Sequence, residues 1–450
     1  TWHAHQGEAA IGLWEMIGNI YGDFPNATDV AREDWHHNFL PHLAYPDYDL
    51  STEVSALAIV SPSTSKGVSE ATGYSALSEN TPNAFWLEMY FAFAGFMRVA
   101  MPYNLGGDVT TFYPLPRQIT FDTLLSQVAS YRDSANTRAL YMFSNSLSRA
   151  KLEVLATIDF YKSVVEDSRQ TLRREKKEEK KQRGHADLKA ISGFVGYYYK
   201  DISTQIPFDE TIFAHPAWLP PEADAAQLKQ AERVLKEHRD LIDRIRGRAP
   251  KYQLTGSELA LFDPYRRYMA LGNPEDWISF SIAYGFYRFR NMSDQPGLQH
   301  LTLSLFEESF PMTHTPTDRT DFRPIMDAEQ HPGFYNIAYA INRCTVYARY
   351  KNDVQKDKSF KYKTRHGLGD DLLRNAHNPA QFIVDLSRFV HDYQQESVSV
   401  RADAGKGRPA IQPDDLDDIT ALIAQYGSKV VAHMLVAAGY ASRFPDKNTD

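Results

Sequence analysis

Absences narrow this 450-residue chain first. Cys344 is its only cysteine, which excludes an internal disulfide and a cysteine-based zinc knuckle and fits a reducing cytoplasm. No apolar run approaches the roughly 18 residues of a membrane span. No signal-peptide pattern is visible, so no membrane partner is expected. No Walker loop, dinucleotide-binding glycine pattern or nucleophile elbow occurs, and no cofactor is expected. The first 140 residues are short of positive charge, with 6 basic against 15 acidic side chains.

The composition that is present, 43% hydrophobic and 24% charged with 13% aromatics, suits a globular chain long enough for two or three domains. The overall charge of -8 argues against a general nucleic-acid coat. The front carries -9 of it, so the remainder is close to neutral. Within that remainder, residues 335–408 hold 13 basic and 8 acidic side chains. An acidic front with a basic rear predicts a polyanion that touches only part of the surface.

The patterning predicts a mostly α, α+β protein in three portions. Residues 1–148 form a mixed α/β portion, with a small-residue loop at 61–81 and an apolar aromatic helix from Asn83. Leu105-Gly106-Gly107-Asp108, followed by Val109, Thr110 and Thr111, predicts a turn or hairpin. Residues 149–330 are expected to hold a helical hairpin and aromatic helices. Its arms are 149–183, with Leu152, Leu155, Ile158, Tyr161 and Val165 at helical spacing, and 226–246. Asn273-Pro274-Glu275-Asp276 reads as a helix start: a capping residue, proline at the first position, then acids. Residues 331–450 predict a C-terminal helical bundle with helices near 334–350, 369–377, 380–398, 413–426 and 428–442.

Metal chemistry has few candidates. Asp370 and Asp371 in Gly-Leu-Gly-Asp-Asp resemble the carboxylates at a catalytic tip, which requires a tight turn between strands. They are followed by Leu372, Leu373 and Ala376, so the pattern predicts a helix start with acids at its positive end. Asp108 has hairpin surroundings but is a single carboxylate. His3, His5, His36, His37 and His42, with Asp47 and Asp49, could supply ligands. The only His-Asp dipeptide, His391-Asp392, falls in an amphipathic helix. No catalytic residue and no metal site is expected. The alternative is a metal-dependent nuclease or nucleotide cyclase using Asp108 or Asp370 and Asp371.

Basic residues interleaved with aromatics point to nucleic acid, because guanidinium and ammonium groups grip phosphates while rings stack on bases. The largest set is Arg343, Arg349, Lys351, Lys361, Lys363, Arg365, Arg374, Arg388, Arg401, Lys406 and Arg408. A second comprises Arg266 and Arg267 between Tyr265 and Tyr268, and Arg288 and Arg290 among Tyr284, Phe286, Tyr287 and Phe289. Core aromatics with arginines reaching outward would give the same second pattern. The run Arg169–Arg183 places like charges four apart, which repel within a lone helix and favour an anionic partner.

The pieces FYNIAYAINRCTVYARYK, KYKTRHGLGDDLLRNA, FIVDLSRFVHDYQQES and LIAQYGSKVVAHMLVAAGYAS resemble the C-terminal region of the large subunit of type I-D CRISPR Cascade complexes, the Cas-ten-d family. The resemblance covers residues 331–445, with a weaker likeness at 85–100. It implies a C-terminal bundle like the Cascade small subunit, in a ribonucleoprotein complex for antiviral defence. The implied roles are PAM recognition, R-loop formation, and support of the guide–target duplex and the displaced DNA strand. The implied partners are CRISPR RNA, target double-stranded DNA, the backbone and small Cascade subunits, and a recruited helicase-nuclease or other effector. PAM-side loops are placed at 61–81 or 104–118, with Lys66, Asn104, Gly106, Gly107 and Arg117 as candidates. The family's N-terminal HD nuclease motif has no match in these residues, so binding rather than cleavage is expected of them.

Overall fold

The computed structural model describes residues 98–441, apart from 106–107, 118, 144–146, 178–185, 189, 201–208, 217, 221, 246–255, 296, 311–320 and 405–406. The chain divides into two compact units, Thr1–Ala100 and Met101–Asp450, and the elements below belong to the second. The loop at 61–81, most of the aromatic helix from Asn83 and the histidine-rich front lie outside the described residues. The second unit is mostly helical with a small antiparallel sheet, as the patterning predicts.

Strands β1 (Met101–Leu105) and β2 (Asp108–Pro116) pair as the expected hairpin, with Leu105 opposite Asp108. The other two strands, β4 (Ile191–Tyr199) and β5 (Asp209–Ala214), complete an antiparallel sheet of order β1-β2-β4-β5. They fall inside the portion expected to be helical. Phe194, Val195 and Tyr197–Tyr199 are β-branched and aromatic residues that suit a pleated surface, but glycines at 193 and 196 interrupt the run. Those glycines have steric causes. A Cβ on Gly193, whose φ is +156°, would lie 2.2 Å from the Phe213 carbonyl oxygen, and one on Gly196 would press on the Phe112 ring.

Helices cover one face of this sheet. They are α1 (Phe121–Asp133), α2 (Ala135–Phe143) and the long α3 (Arg149–Lys177). Phe160 of α3 meets Phe194 edge-on at 4.1 Å, and Tyr131 of α1 hydrogen-bonds Tyr103 of β1. A two-stranded ribbon, β3 (Ala186–Asp187) with β6 (Glu222–Ala223), precedes α4 (Ala225–Asp243). Asp224 and Gln227 form a reciprocal capping box at the start of α4.

Helices α3 and α4 run antiparallel, because partners climb one helix as they descend the other. Lys151 Nζ donates to the Asp243 and Ile245 carbonyls, Arg239 pairs with Asp159, and Arg169 pairs with Glu232. The expected helical hairpin is thus present as a packed pair, but strands β3–β6 are inserted between its arms.

Next come α5 (Gly256–Leu271), α6 (Pro274–Asn291) and α7 (Leu303–Glu308). Asn273 caps α6 by accepting from the Glu275 N–H. Trp277 is fully buried among Tyr265, Tyr268, Phe280 and Phe306. The C-terminal helices are α8 (Pro332–Cys344), α9 (Val346–Arg349), α10 (Leu368–Arg374), α11 (Pro379–Ala404), α12 (Pro413–Tyr426) and α13 (Ser428–Tyr440). Each falls where the sequence predicts one, save that the helix expected over 334–350 breaks at Thr345.

The Ala-Gly-Tyr-Ala sequence closing α13 earns its place by packing. Gly439 lets α13 approach Ile341 of α8, and Asn342 donates to the Gly439 and Ala441 carbonyls. The Tyr440 ring packs against Phe286 and Phe289 of α6. Helix α6 is therefore integral to the C-terminal helical layer.

Candidate nucleic-acid interface

Helix α8 ends because Thr345 leaves helical geometry, at φ −114° and ψ −92°. After α9 and a single π turn at Tyr350–Val354, residues 355–367 form a non-helical strap that returns the chain to α10. Lys356 adopts φ +52°, a left-handed conformation uncommon outside glycine and asparagine that reverses the chain. Backbone groups then pin the strap. Asn352 donates to the Tyr362 carbonyl at 3.0 Å and to Thr364 at 3.1 Å. The Lys363 N–H reaches Glu396 at 2.9 Å, and the Arg365 N–H reaches the Cys344 carbonyl at 2.8 Å. The latter bond satisfies a carbonyl orphaned by the end of α8.

Rings line the strap. Phe360 lies 5.8 Å from Tyr347 and 5.6 Å from Tyr362 between centroids. Arg343 is 4.0 Å from the Tyr347 ring and 4.9 Å from that of Tyr339, while Arg408 lies 3.7 Å over Tyr362. The result is a series of alternating cations and rings, with Tyr339 buried and Tyr347, Phe360 and Tyr362 half-buried. The basic members are legible in the sequence, but the rings between them went unmarked. Their signal is Tyr339, Arg343 and Tyr347 at four-residue intervals.

The remaining basic residues of this region divide by counter-charge. Arg365 pairs with Asp392, Arg374 with Asp371, Arg388 with Asp385, Arg349 with Asp353, Lys351 with Asp357, and Arg408 with Glu396. Lys356, Lys358, Lys361 and Lys363 are exposed on the strap, and none is in an ion pair among the described residues. Arg401, on the last turns of α11, is also exposed. Lys406 lies outside the described residues.

The second basic set is split, with Arg266 and Arg288 turned inward and Arg267 and Arg290 exposed. Arg266 reaches the buried Glu153 at 2.6 Å and Thr211 at 2.5 Å, and Arg267 pairs with Asp276 at 2.8 Å. Arg288 is 6% exposed and hydrogen-bonded to His300, and burial pushes its guanidinium below its ordinary range. Tyr265, Tyr268 and Tyr284 are buried, so their rings serve the core and cannot stack on a base. Arg290 and Arg267 are the exposed members of this set, and Arg267 is held by Asp276. Of the PAM-side candidates, Asn104 is exposed on β1 and Arg117 just beyond β2, where its N–H bonds the Ala190 carbonyl. Lys66, Gly106 and Gly107 lie outside the described residues.

Asp370 and Asp371 occupy the first turn of α10 behind Gly367, whose φ of +83° turns the chain into the helix. Asp108 accepts a hydrogen bond from the Tyr198 hydroxyl. Among the described residues, no three His, Cys, Asp or Glu side chains converge as metal ligands. A buried Tyr265–His238–Ser309 series superficially resembles a proton relay. Ser309 spends its proton on the Leu305 carbonyl, so it accepts from His238 Nε2, leaving Nδ1 to accept from the Tyr265 hydroxyl. Burial pushes His238 down to about 3, and the neutral ring is a structural part of the core.

Comparison with protein-family models, with curated proteins and with solved structures gives no match. Among the described residues, no helix is long and apolar enough to cross a membrane.

Proposed function

We propose that the chain is a nucleic-acid-binding subunit whose backbone-gripping surface is the strap with its flanking rings. The supporting observation is the run of exposed lysines 356, 358, 361 and 363, held on a segment fixed by its backbone and without carboxylate partners among the described residues. Exposed ammonium groups on a fixed frame cost little to bring against phosphates, and releasing the phosphates' counterions drives the association. Half-buried Tyr347, Phe360 and Tyr362 supply aromatic edges beside them.

More particularly, the chain acts as the large subunit of a type I-D-like CRISPR RNA-guided Cascade. There it contributes to PAM recognition and R-loop formation, with guide pairing supplying most of the sequence specificity. Its partners are CRISPR RNA, target double-stranded DNA, backbone and small subunits, and a recruited effector. Buried Arg288, and Arg266 tied to Glu153, are structural in this scheme, while Arg290, Lys361 and Lys363 face the polyanion. Affinity purification of the tagged chain from its source cell provides the test. Recovery of a CRISPR RNA with backbone subunits is expected, and recovery of neither from a folded chain would overturn the Cascade assignment.

A further inference from the structure

Arg408 resembles one more cation for a phosphate, but its surroundings are those of an anchor. Its side chain is only 5% exposed. One guanidinium nitrogen donates to Glu396 at 3.0 Å and to Cys344 Sγ at 3.2 Å, and another donates to the Arg343 carbonyl at 3.1 Å. The guanidinium plane meets the Tyr362 ring at 3.7 Å and Tyr393 at 5.4 Å. Its backbone is itself fixed by reciprocal bonds with Ser397 of α11.

These contacts join three elements. The Arg343 carbonyl belongs to the last turn of α8, where a cation complements the helix dipole. Glu396 belongs to α11, and its second oxygen accepts the Lys363 N–H of the strap. Tyr362 is the strap's own ring, adjacent in sequence to both Lys361 and Lys363. We infer that Arg408 is a positioning residue that clamps the strap between α8 and α11, fixing where those lysines are presented without touching the polyanion itself. Its consequence for binding rests on the function proposed above, but the clamp does not. A lysine at 408 would keep the charge, yet it lacks the planar fork that meets carboxylate, carbonyl and ring together.

Trypsin tests the clamp directly, because Lys356, Lys358, Lys361 and Lys363 are its cleavage sites. The folded full chain is digested briefly, and cleavage after these four lysines is timed by mass spectrometry. Arg408→Met is expected to accelerate strap cleavage by roughly tenfold to a hundredfold, the range implied by losing charge-assisted hydrogen bonds. Arg408→Lys should be intermediate, and cleavage elsewhere should be unchanged. If Arg408→Met fails to fold, Arg408→Lys and Glu396→Gln decide the outcome by the same readout. Unchanged strap cleavage in the folded variants would overturn the clamp.

DNA binding over a salt series supplies the second readout. Arg408→Met should weaken binding while preserving the slope of log K against log salt, whereas Lys361→Ala with Lys363→Ala should reduce that slope by about 1–2. A reduced slope in Arg408→Met with normal strap cleavage would make Arg408 a phosphate contact and sink the inference. Absence of DNA binding by the unaltered chain would defeat the proposed function, and the cleavage rates would still decide the clamp.

Discussion

Arg149 and Arg266, beside the sheet, converge on the buried carboxylate of Glu153, whereas Arg343, in the C-terminal helices, lies against the rings of Tyr339 and Tyr347. The two settings leave different fields. A guanidinium paired with a carboxylate contributes little net potential at a distance. A ring quadrupole attracts a cation without neutralising it. The excess positive charge over 335–408 rests chiefly on Lys356, Lys358, Lys361 and Lys363, exposed and in no ion pair among the described residues, while the arginines near the sheet are largely cancelled where they sit.

The largest effect that could break this contrast lies at Glu153. Its side chain is inaccessible to solvent, and burial raises its carboxyl pKa against the lowering influence of Arg266 and Arg149. Glu153→Ala takes the buried carboxylate from two guanidinium groups that are only 21% and 27% exposed, leaving Arg149 with Asp209 and Arg266 with Thr211. The expected cost is about 2–4 kcal/mol, measured by chemical denaturation, at or below the usual range for breaking a buried pair because both arginines retain some water. Arg343→Met should cost less, about 1–2 kcal/mol, the scale of a cation–ring contact with the hydrogen bond to the Tyr339 hydroxyl. Equal costs at the two sites would erase the distinction.

Acid should sharpen the same contrast at Asp159, the other buried carboxylate near the sheet. Burial pushes its carboxyl up to about 6 despite the Arg239 guanidinium. A carboxyl with a folded value above its unfolded one, near 4, binds more protons in the native state between those values. Its ionisation therefore opposes folding above about pH 6, and the penalty is relieved as pH falls towards 4. Relative to Asp159→Asn, the unaltered chain should gain on the order of 2–3 kcal/mol between pH 7 and pH 4. Denaturation midpoints of both proteins across that range provide the check, and no gain, or a loss, by the unaltered chain relative to the variant would contradict the burial argument.

Local chemistry made much of this fold legible in the sequence. Asn273-Pro274 begins α6, Gln412-Pro413 begins α12, and the acids after Gly367 begin α10, because caps and proline act within a few residues. The β1–β2 hairpin was legible for the same reason. Strand β4 was not, since glycines demanded by cross-strand contacts at Phe213 and Phe112 break its pattern, nor was β5, a six-residue strand that opens on two acids. At the candidate interface, basic composition was visible while its sorting was not. Whether an arginine meets Glu153, a tyrosine ring or water depends on residues far away in sequence.

On the strap the expected effect moves from stability to affinity. Lys361 and Lys363 are exposed and have no ion-pair partner among the described residues. Lys361→Ala with Lys363→Ala should change the unfolding free energy by less than about 0.5 kcal/mol. DNA affinity should fall about tenfold at moderate salt, with convergence at high salt where screening removes the advantage. Electrophoretic mobility shifts over a salt series read this out. A loss independent of salt would point to shape rather than charge.

The smallest effect concerns Asp370 and Asp371. Asp371 and its partner Arg374 are 62% and 70% exposed, a setting in which an ion pair contributes little. Both carboxylates still face the positive end of α10, where an acid is favourable by roughly 0.3–1 kcal/mol. Asp370→Ala with Asp371→Ala should therefore lower stability by about 1 kcal/mol at most, and DNA binding should hold or tighten slightly as negative charge leaves the region. The decisive comparison adds Mg²⁺ or Mn²⁺ with labelled DNA or ATP. If the unaltered chain turns over either substrate and the double variant does not, these aspartates are catalytic and the strap serves an active site. Retention of binding with no aspartate-dependent turnover would leave them as a helix's opening turn beside a cationic surface.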